Sequence, residues 1–213
     1  MILDFSNENT IQYSLKCVNN SENSWYFYIY QKMSNQSDND IYSLVWMISP
    51  YKIGLQSFIT FTWSLNDSFW WLNTGKLQAD VIPKSGGSVS ASLTSNNSTT
   101  FNIENNTPQF STPVSGTPSD AFLIMGGNNI PNFTFSTGIG MSNFATCIKQ
   151  TYVNTSQEFD SNTTYWVAAT TSQKQVSETL SLTNISNTET FSFPLNTYNL
   201  TATLGEDNIW SIK

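Results

Sequence analysis

At 213 residues, with 38% apolar and 14% aromatic side chains, the chain holds ample material for a core, yet only 11% of it is charged. The formal charge is −7, and all eight basic residues are lysines, with neither arginine nor histidine. This excludes a nucleic-acid binder, which needs a basic footprint, removes arginine-fork recognition of phosphate, and departs from the aromatic-poor, highly charged composition of disorder.

In chain order, Ile11, Tyr13, Leu15 and Cys17 alternate with polar residues and predict a first strand. A turn cluster, Asn19 to Asn23, leads to a strand over 25–31, where Trp25, Phe27 and Ile29 lie opposite Tyr26, Tyr28 and Tyr30. One of these sets must face the core; the other faces solvent, a second layer or another subunit. A polar loop over 34–40 precedes a strand over 41–49.

The stretch from Phe58 to Gly75 is the densest aromatic signal. Ile59, Phe61, Trp63 and Leu65 share one parity, and Thr60, Thr62 and Ser64 the other, predicting a half-buried strand. Phe69, Trp70, Trp71 and Leu72 form a continuous apolar run, predicting a strand covered on both sides. Asn66-Asp67-Ser68 between them reads as a turn, so the expectation is a hairpin whose Phe61, Trp63, Phe69 and Trp71 build the core.

Further strands are predicted over 77–82, 89–93, 99–103, 122–125, 133–141, 144–153, 165–169, 176–183, 190–193, 198–204 and 209–212. The segment 107–119, with Pro108, Pro113, Gly116 and Pro118, reads as a surface loop. No segment carries a helical apolar stripe. The expected fold is all-β, an antiparallel, jelly-roll-like β-sandwich forming one large domain over 1–213.

Chemistry-bearing constellations are sparse. Without histidine the usual base of a nucleophilic triad is missing, and no lysine sits in a recognisable Ser–Lys motif. Gly126-Gly127 and Gly138-x-Gly140 lack the Lys-Ser/Thr of a phosphate loop and read as bulges or tight turns. Glu158 with Asp160, or Asp67 with Asp80, are the carboxylate pairs available for glycoside hydrolysis. Calcium is a softer option at 38–40, 160–162 and 206–208, and otherwise no cofactor or metal is expected. Cys17 and Cys147 are compatible with one disulfide or with two thiols. The N-terminus lacks the basic and apolar regions of a signal peptide, and no run is long enough to be a transmembrane helix. The expected location is the cytoplasm, or outside the cell by a route without a recognisable signal.

Several stretches carry a family resemblance: Asn20-Ser21-x-Asn23-Ser24-Trp25 leading to Tyr30-Gln31, Thr60 to Leu65 with Phe69 to Gly75, Gly138 to Ser142, Tyr165 to Ala168, and Thr201 to Leu204 with Asp207 to Trp210. In order and spacing the chain resembles the bacterial rhizosphere-expressed RhiA family over nearly its whole length. The resemblance implies an abundant, soluble, non-membrane protein, in some bacteria under population-density control, with no established enzymatic activity and no catalytic residues to carry over.

The leading functional expectation is a non-catalytic protein that associates with itself, as a homo-oligomer or a fibre- or crystal-like assembly, through neutral faces or exposed strand edges, with Tyr26, Tyr28 and Tyr30 as a candidate surface. A lectin-like module holding glycans on tryptophan or tyrosine is the alternative, and a lipid-active β-sandwich a third reading.

Overall fold

The computed structural model describes residues 11–33, 41–161 and 163–213. These form β1 (Gln12–Asn19), β2 (Tyr26–Met33), β3 (Tyr42–Ser43), β4 (Met47–Ile48), β5 (Ser57–Ser64), β6 (Asp67–Asn73), β7 (Gly86–Ser90), β8 (Ser98–Glu104) and β9 (Thr107–Phe110). There follow β10 (Ala121–Gly126), β11 (Phe135–Met141), β12 (Phe144–Gln150), β13 (Ser156–Asp160), β14 (Thr163–Thr170), β15 (Thr188–Phe191), β16 (Asn199–Leu204) and β17 (Trp210–Ile212), with a short 3-10 turn at Leu182–Asn184. The fold is all-β, as the alternation requires, and among the described residues no helix is long and apolar enough to cross a membrane.

Four sheets run in the orders β17-β16-β1-β5, β15-β14-β2-β4, β3-β12-β11-β6-β7 and β13-β10-β8-β9. The first two enclose a core that includes Leu15, Phe27, Trp46, Trp63, Val167 and Trp210. The last two enclose a second, with Phe69, Phe101, Phe122, Phe135, Cys147 and Phe159. The pairing is mainly antiparallel, but β1 runs parallel to β16 and β8 parallel to β10, so those two sheets are mixed.

The expected hairpin from Phe58 to Gly75 is corrected: β5 and β6 do not pair. β5 pairs with β1, whereas β6 lies between β7 and β11 in another sheet. Leu65-Asn66 is therefore a corner that carries the chain from one core to the other. The β11–β12 turn latches it: Ser142 N donates to Asn66 O at 3.1 Å, and Ser64 N donates to Ser142 Oγ at 3.4 Å. Ser142 and Asn143 sit in that turn at φ 51° and 69°, the left-handed pair that suits a tight hairpin. Residue parity still sorts the rings. Phe61 and Trp63 enter the first core, Phe69 enters the second, and Trp71 packs against the second while partly exposed.

Other boundaries shift for physical reasons. Residues 77–82 and 176–183 are not strands; bonds such as Val81 N to Thr179 Oγ1 (2.8 Å) tie the two segments together irregularly. The segment 107–119 is a loop only from 111 onward, because 107–110 forms edge strand β9, where Pro108 needs no outward donor. β13 lies outside the predicted strands. Glycines are required where chains approach closely. A Cβ on Gly138 would lie 1.9 Å from Cys147 O, and the β11–β12 register shifts between Ile139 and Gly140 as a bulge.

Asp67, beside the corner, has its carboxyl pushed up to about 6 by burial. In the unfolded chain an aspartate titrates near about 3.9. Between those values the folded state holds a proton that the unfolded state has lost. Stability therefore falls as pH rises through that window and is level above it. Asp67→Asn is expected to raise unfolding free energy at pH 7 by about 1–2 kcal/mol, allowing for solvent screening, and by little below pH 4. Urea titrations at both pH values check this; an equal gain at both would contradict it.

Candidate association edge

Among the described residues eight strands lie at sheet edges, and seven of them are short or guarded. β3 and β4 have two residues each and β17 has three. β7 is only five residues long and opens on Gly86-Gly87, β9 contains Pro108, β13 carries Glu158 and Asp160, and β15 carries Glu189. Proline, charge and brevity are the usual protection against pairing with another chain. β5 has none of these. Its eight residues, Ser-Phe-Ile-Thr-Phe-Thr-Trp-Ser, include no charge, proline or glycine.

The register shows which backbone groups face outward. Ser14 N bonds to Tyr198 O and Asn20 N to Leu204 O, so the even-numbered residues of β1 face β16. The odd-numbered residues face β5, as Gln56 N bonding to Asn19 O at 2.7 Å confirms. In an antiparallel ladder this joins Ile59, Phe61 and Trp63 to β1 and turns the amides and carbonyls of Phe58, Thr60 and Thr62 away from it. Among the described residues no strand pairs with that side. The side chains of Phe58, Thr60 and Thr62 are exposed on the outer sheet face, with Phe58 at 57%. The nearby charge, Lys16, has its Nζ 4.2 Å from the Phe58 ring centre. Exposed Tyr51 and Leu55 precede the strand, and exposed Leu65 follows it.

The entry to β5 is rigid. Asn19 is fully buried; its Nδ2 donates to Asn23 O and Ile53 O at 2.7 Å each, and its Oδ1 accepts from Ser21 N and Ser21 Oγ. Trp25 Nε1 in turn donates to Ser21 Oγ at 2.8 Å. Asn97 does the same for the segment before β10, bonding Pro118 O, Ala121 O and Gly116 N. In sequence both asparagines look like ordinary turn residues; their burial is tertiary information. Asn19→Ala is expected to cost about 2–3 kcal/mol in urea unfolding, since it removes a buried amide with four hydrogen bonds and leaves the buried Ser21 amide without its acceptor. A cost under about 0.5 kcal/mol would contradict this role.

The remaining candidates are placed as follows. Tyr28 and Tyr30 are each 2% exposed, which corrects their reading as a surface. The second face of β2 is covered by Val45, Leu180 and the segment reaching Ile185, and burial pushes both hydroxyls up. Tyr26 is half-buried, with Lys52 Nζ 5.8 Å from its ring. Cys17 and Cys147 lie in different cores as free thiols, so the disulfide option is corrected. Burial pushes Cys17 up, and Cys147 up to about 12 despite bonds from Ser43 and Thr146, leaving both thiols unreactive at neutral pH.

Glu158 and Asp160 share a face of β13, exposed and half-buried respectively. Asp80 is held by Lys174 at 3.3 Å, while Asp67 sits at the corner. Of the calcium candidates, 38–40 and Asn162 lie outside the described residues. At 206–208, Asp207 Oδ1 accepts from Ile209 N at 3.0 Å and shapes the β16–β17 turn. Gly126-Gly127 is a close approach rather than a phosphate loop, since a Cβ on Gly126 would lie 2.1 Å from Tyr152 O.

The RhiA family model matches residues 10–213, which contain every strand described above. The chain belongs to the RhiA family. It is also similar to Protein RhiA of Rhizobium leguminosarum bv. viciae, 38% identical over 202 residues, covering 95% of this chain and 86% of that protein. No solved structure matches it. Membership in the RhiA family thus covers both cores and the β5–β6 corner, while the family name assigns no chemistry to any of these residues.

Proposed function

We propose that this RhiA-family protein is non-catalytic and acts as a self-associating β protein, with β5 pairing antiparallel to β5 of a second copy. The observation that carries the reading is the unguarded eight-residue edge of β5, set against seven edges that are short or protected. A two-fold axis through Thr60 sets Phe58 opposite Thr62 of the other copy, and Leu55 level with Leu65. Six outward backbone groups per copy, from three residues, then give about six interchain hydrogen bonds and one continuous sheet. The buried thiols and the absence of histidine are in keeping with a non-catalytic role.

The glycan reading has less support. None of the seven tryptophans is exposed, and Tyr28 and Tyr30 are interior. Size-exclusion chromatography with light scattering over a concentration series tests association. A shift from one chain mass to two is expected as concentration rises. A monomer at millimolar concentration would overturn the proposal.

A further inference from the structure

Away from β5, a cleft of about 350 Å³ opens beside β12. Its rim includes Lys76 and Lys149, two of the eight lysines in a chain of charge −7, and no carboxylate lines it. Among the described residues neither lysine forms an ion pair. Lys149 is half-buried, its Nζ 5.5 Å from the Phe159 ring centre. The same cleft is lined by Phe133 and Tyr152, half-exposed rings packed edge to face, with centroids 5.8 Å apart at 87°.

Phe133 has φ 53°, a left-handed conformation that a bulky residue rarely adopts. Such strain persists only where surrounding structure enforces it, and it is concentrated at ligand sites. Here it holds an apolar ring at a cleft mouth, where burial gives no reason for one. The turn after Tyr152 is held in place, as Asn154 N bonds to Gly126 O and Gly127 O at 3.0 and 3.1 Å and Thr155 Oγ1 donates to Tyr152 O at 2.9 Å.

The wall is preorganised. Gln150 Nε2 donates to Phe135 O and its Oε1 accepts from Leu77 N, both at 2.7 Å. Gln157 Nε2 donates to Gln150 O at 2.8 Å, and its Oε1 accepts from Thr137 Oγ1 at 2.6 Å. Both amides are thus spent on the protein, and the lysines and the two exposed rings are the charged and aromatic recognition groups of a lining that also carries the hydroxyls of Tyr42, Thr155 and Ser156.

We infer that this cleft binds a small organic anion with a flat apolar ring, an aryl carboxylate, with its ring against Phe133 and Tyr152 and its carboxylate between Lys76 and Lys149. A volume of this size fits a one- or two-ring ligand. The ammonium groups gain from the low charge density around them, and the ring replaces water on two exposed aromatic surfaces.

The test is a two-dimensional NMR titration of the whole chain with 2-naphthoate, and in parallel with neutral 2-naphthalenemethanol. Saturable shifts centred on Phe133, Lys149 and Tyr152 are expected with 2-naphthoate, at least tenfold tighter than with the alcohol. Lys76→Gln with Lys149→Gln is expected to weaken 2-naphthoate at least tenfold and leave the alcohol unchanged. Phe133→Gly, which relieves the backbone, is expected to lose binding without lowering the melting temperature. No shifts at millimolar 2-naphthoate, equal binding of the two probes, or full binding by the double lysine variant would each overturn the assignment. A Phe133→Gly protein that binds normally would overturn the role of the ring.

Discussion

Replacing Trp63 by alanine lowers the free energy of unfolding by about 3–5 kcal/mol, the expected cost of emptying a buried indole site. Trp63 is 2% exposed and sits at the centre of the first core. Trp46 lies edge-on to it at 5.3 Å, Tyr165 and Phe193 at 5.6 Å each, and Phe191 at 6.4 Å. These neighbouring rings come from three separate parts of the chain and cannot close together over so large a void. Trp46 also donates its Nε1 to Met141 O at 3.0 Å, linking the first core to a strand that lines the second. Urea unfolding followed by tryptophan fluorescence reads the loss. Leu65→Ala, at an exposed corner residue, is the comparison, expected within about 0.5 kcal/mol of the parent. A Trp63→Ala cost below about 1.5 kcal/mol would mean that this cluster does not hold the fold together.

Thr60→Lys is expected to weaken self-association at least about tenfold, while facing Lys16 across the β1 ladder costs the single chain no more than about 1 kcal/mol. Thr60 is exposed on the outer face, and its backbone faces away from β1, so the substitution keeps the β1 ladder's hydrogen bonds, although it sets a second ammonium opposite Lys16. At the proposed axis it sets two ammonium groups directly opposite each other, which is unfavourable between paired strands. Thr62→Pro tests the same edge by other means. It removes an outward donor, and proline is tolerated at a strand edge. Both variants are expected to run as monomers by light scattering where the parent is a dimer. A parent-like dimer in both would move the interface elsewhere.

Residue alternation was sufficient to place the half-buried faces. Phe61 and Trp63 point inward and Thr60 and Thr62 outward because a strand with one wet face has little choice. Alternation says nothing about partners. The run from Phe69 to Leu72 was legible as a doubly covered strand, yet its separation from β5 is set by β1 and β11, which pair with each strand along its whole length. The corner has no distinctive residue, since Asn66 suits a hairpin turn equally well. Tyr28 and Tyr30 were ambiguous for a related reason: the segment near Leu180–Ile185 covers them, and it is far away in sequence.

The cleft was still less visible. Lys76 and Lys149 stand 73 positions apart, and the one local signal, a phenylalanine in a left-handed backbone, is conformational. The β5 edge was partly legible, because a chain this poor in charge must leave some strand without a guarding lysine. Which strand that is becomes apparent only when all eight edges are compared.

Amide hydrogen exchange at Phe58, Thr60 and Thr62 addresses the open edge most directly, with Ile59, Phe61 and Trp63 as internal references on the same strand. The references are expected to stay protected at every protein concentration. The other three are expected to exchange quickly in dilute solution and at least about tenfold more slowly when concentrated, as outward donors find a second copy. Fast exchange at Phe58, Thr60 and Thr62 at every concentration, with the references still protected, would contradict pairing through β5.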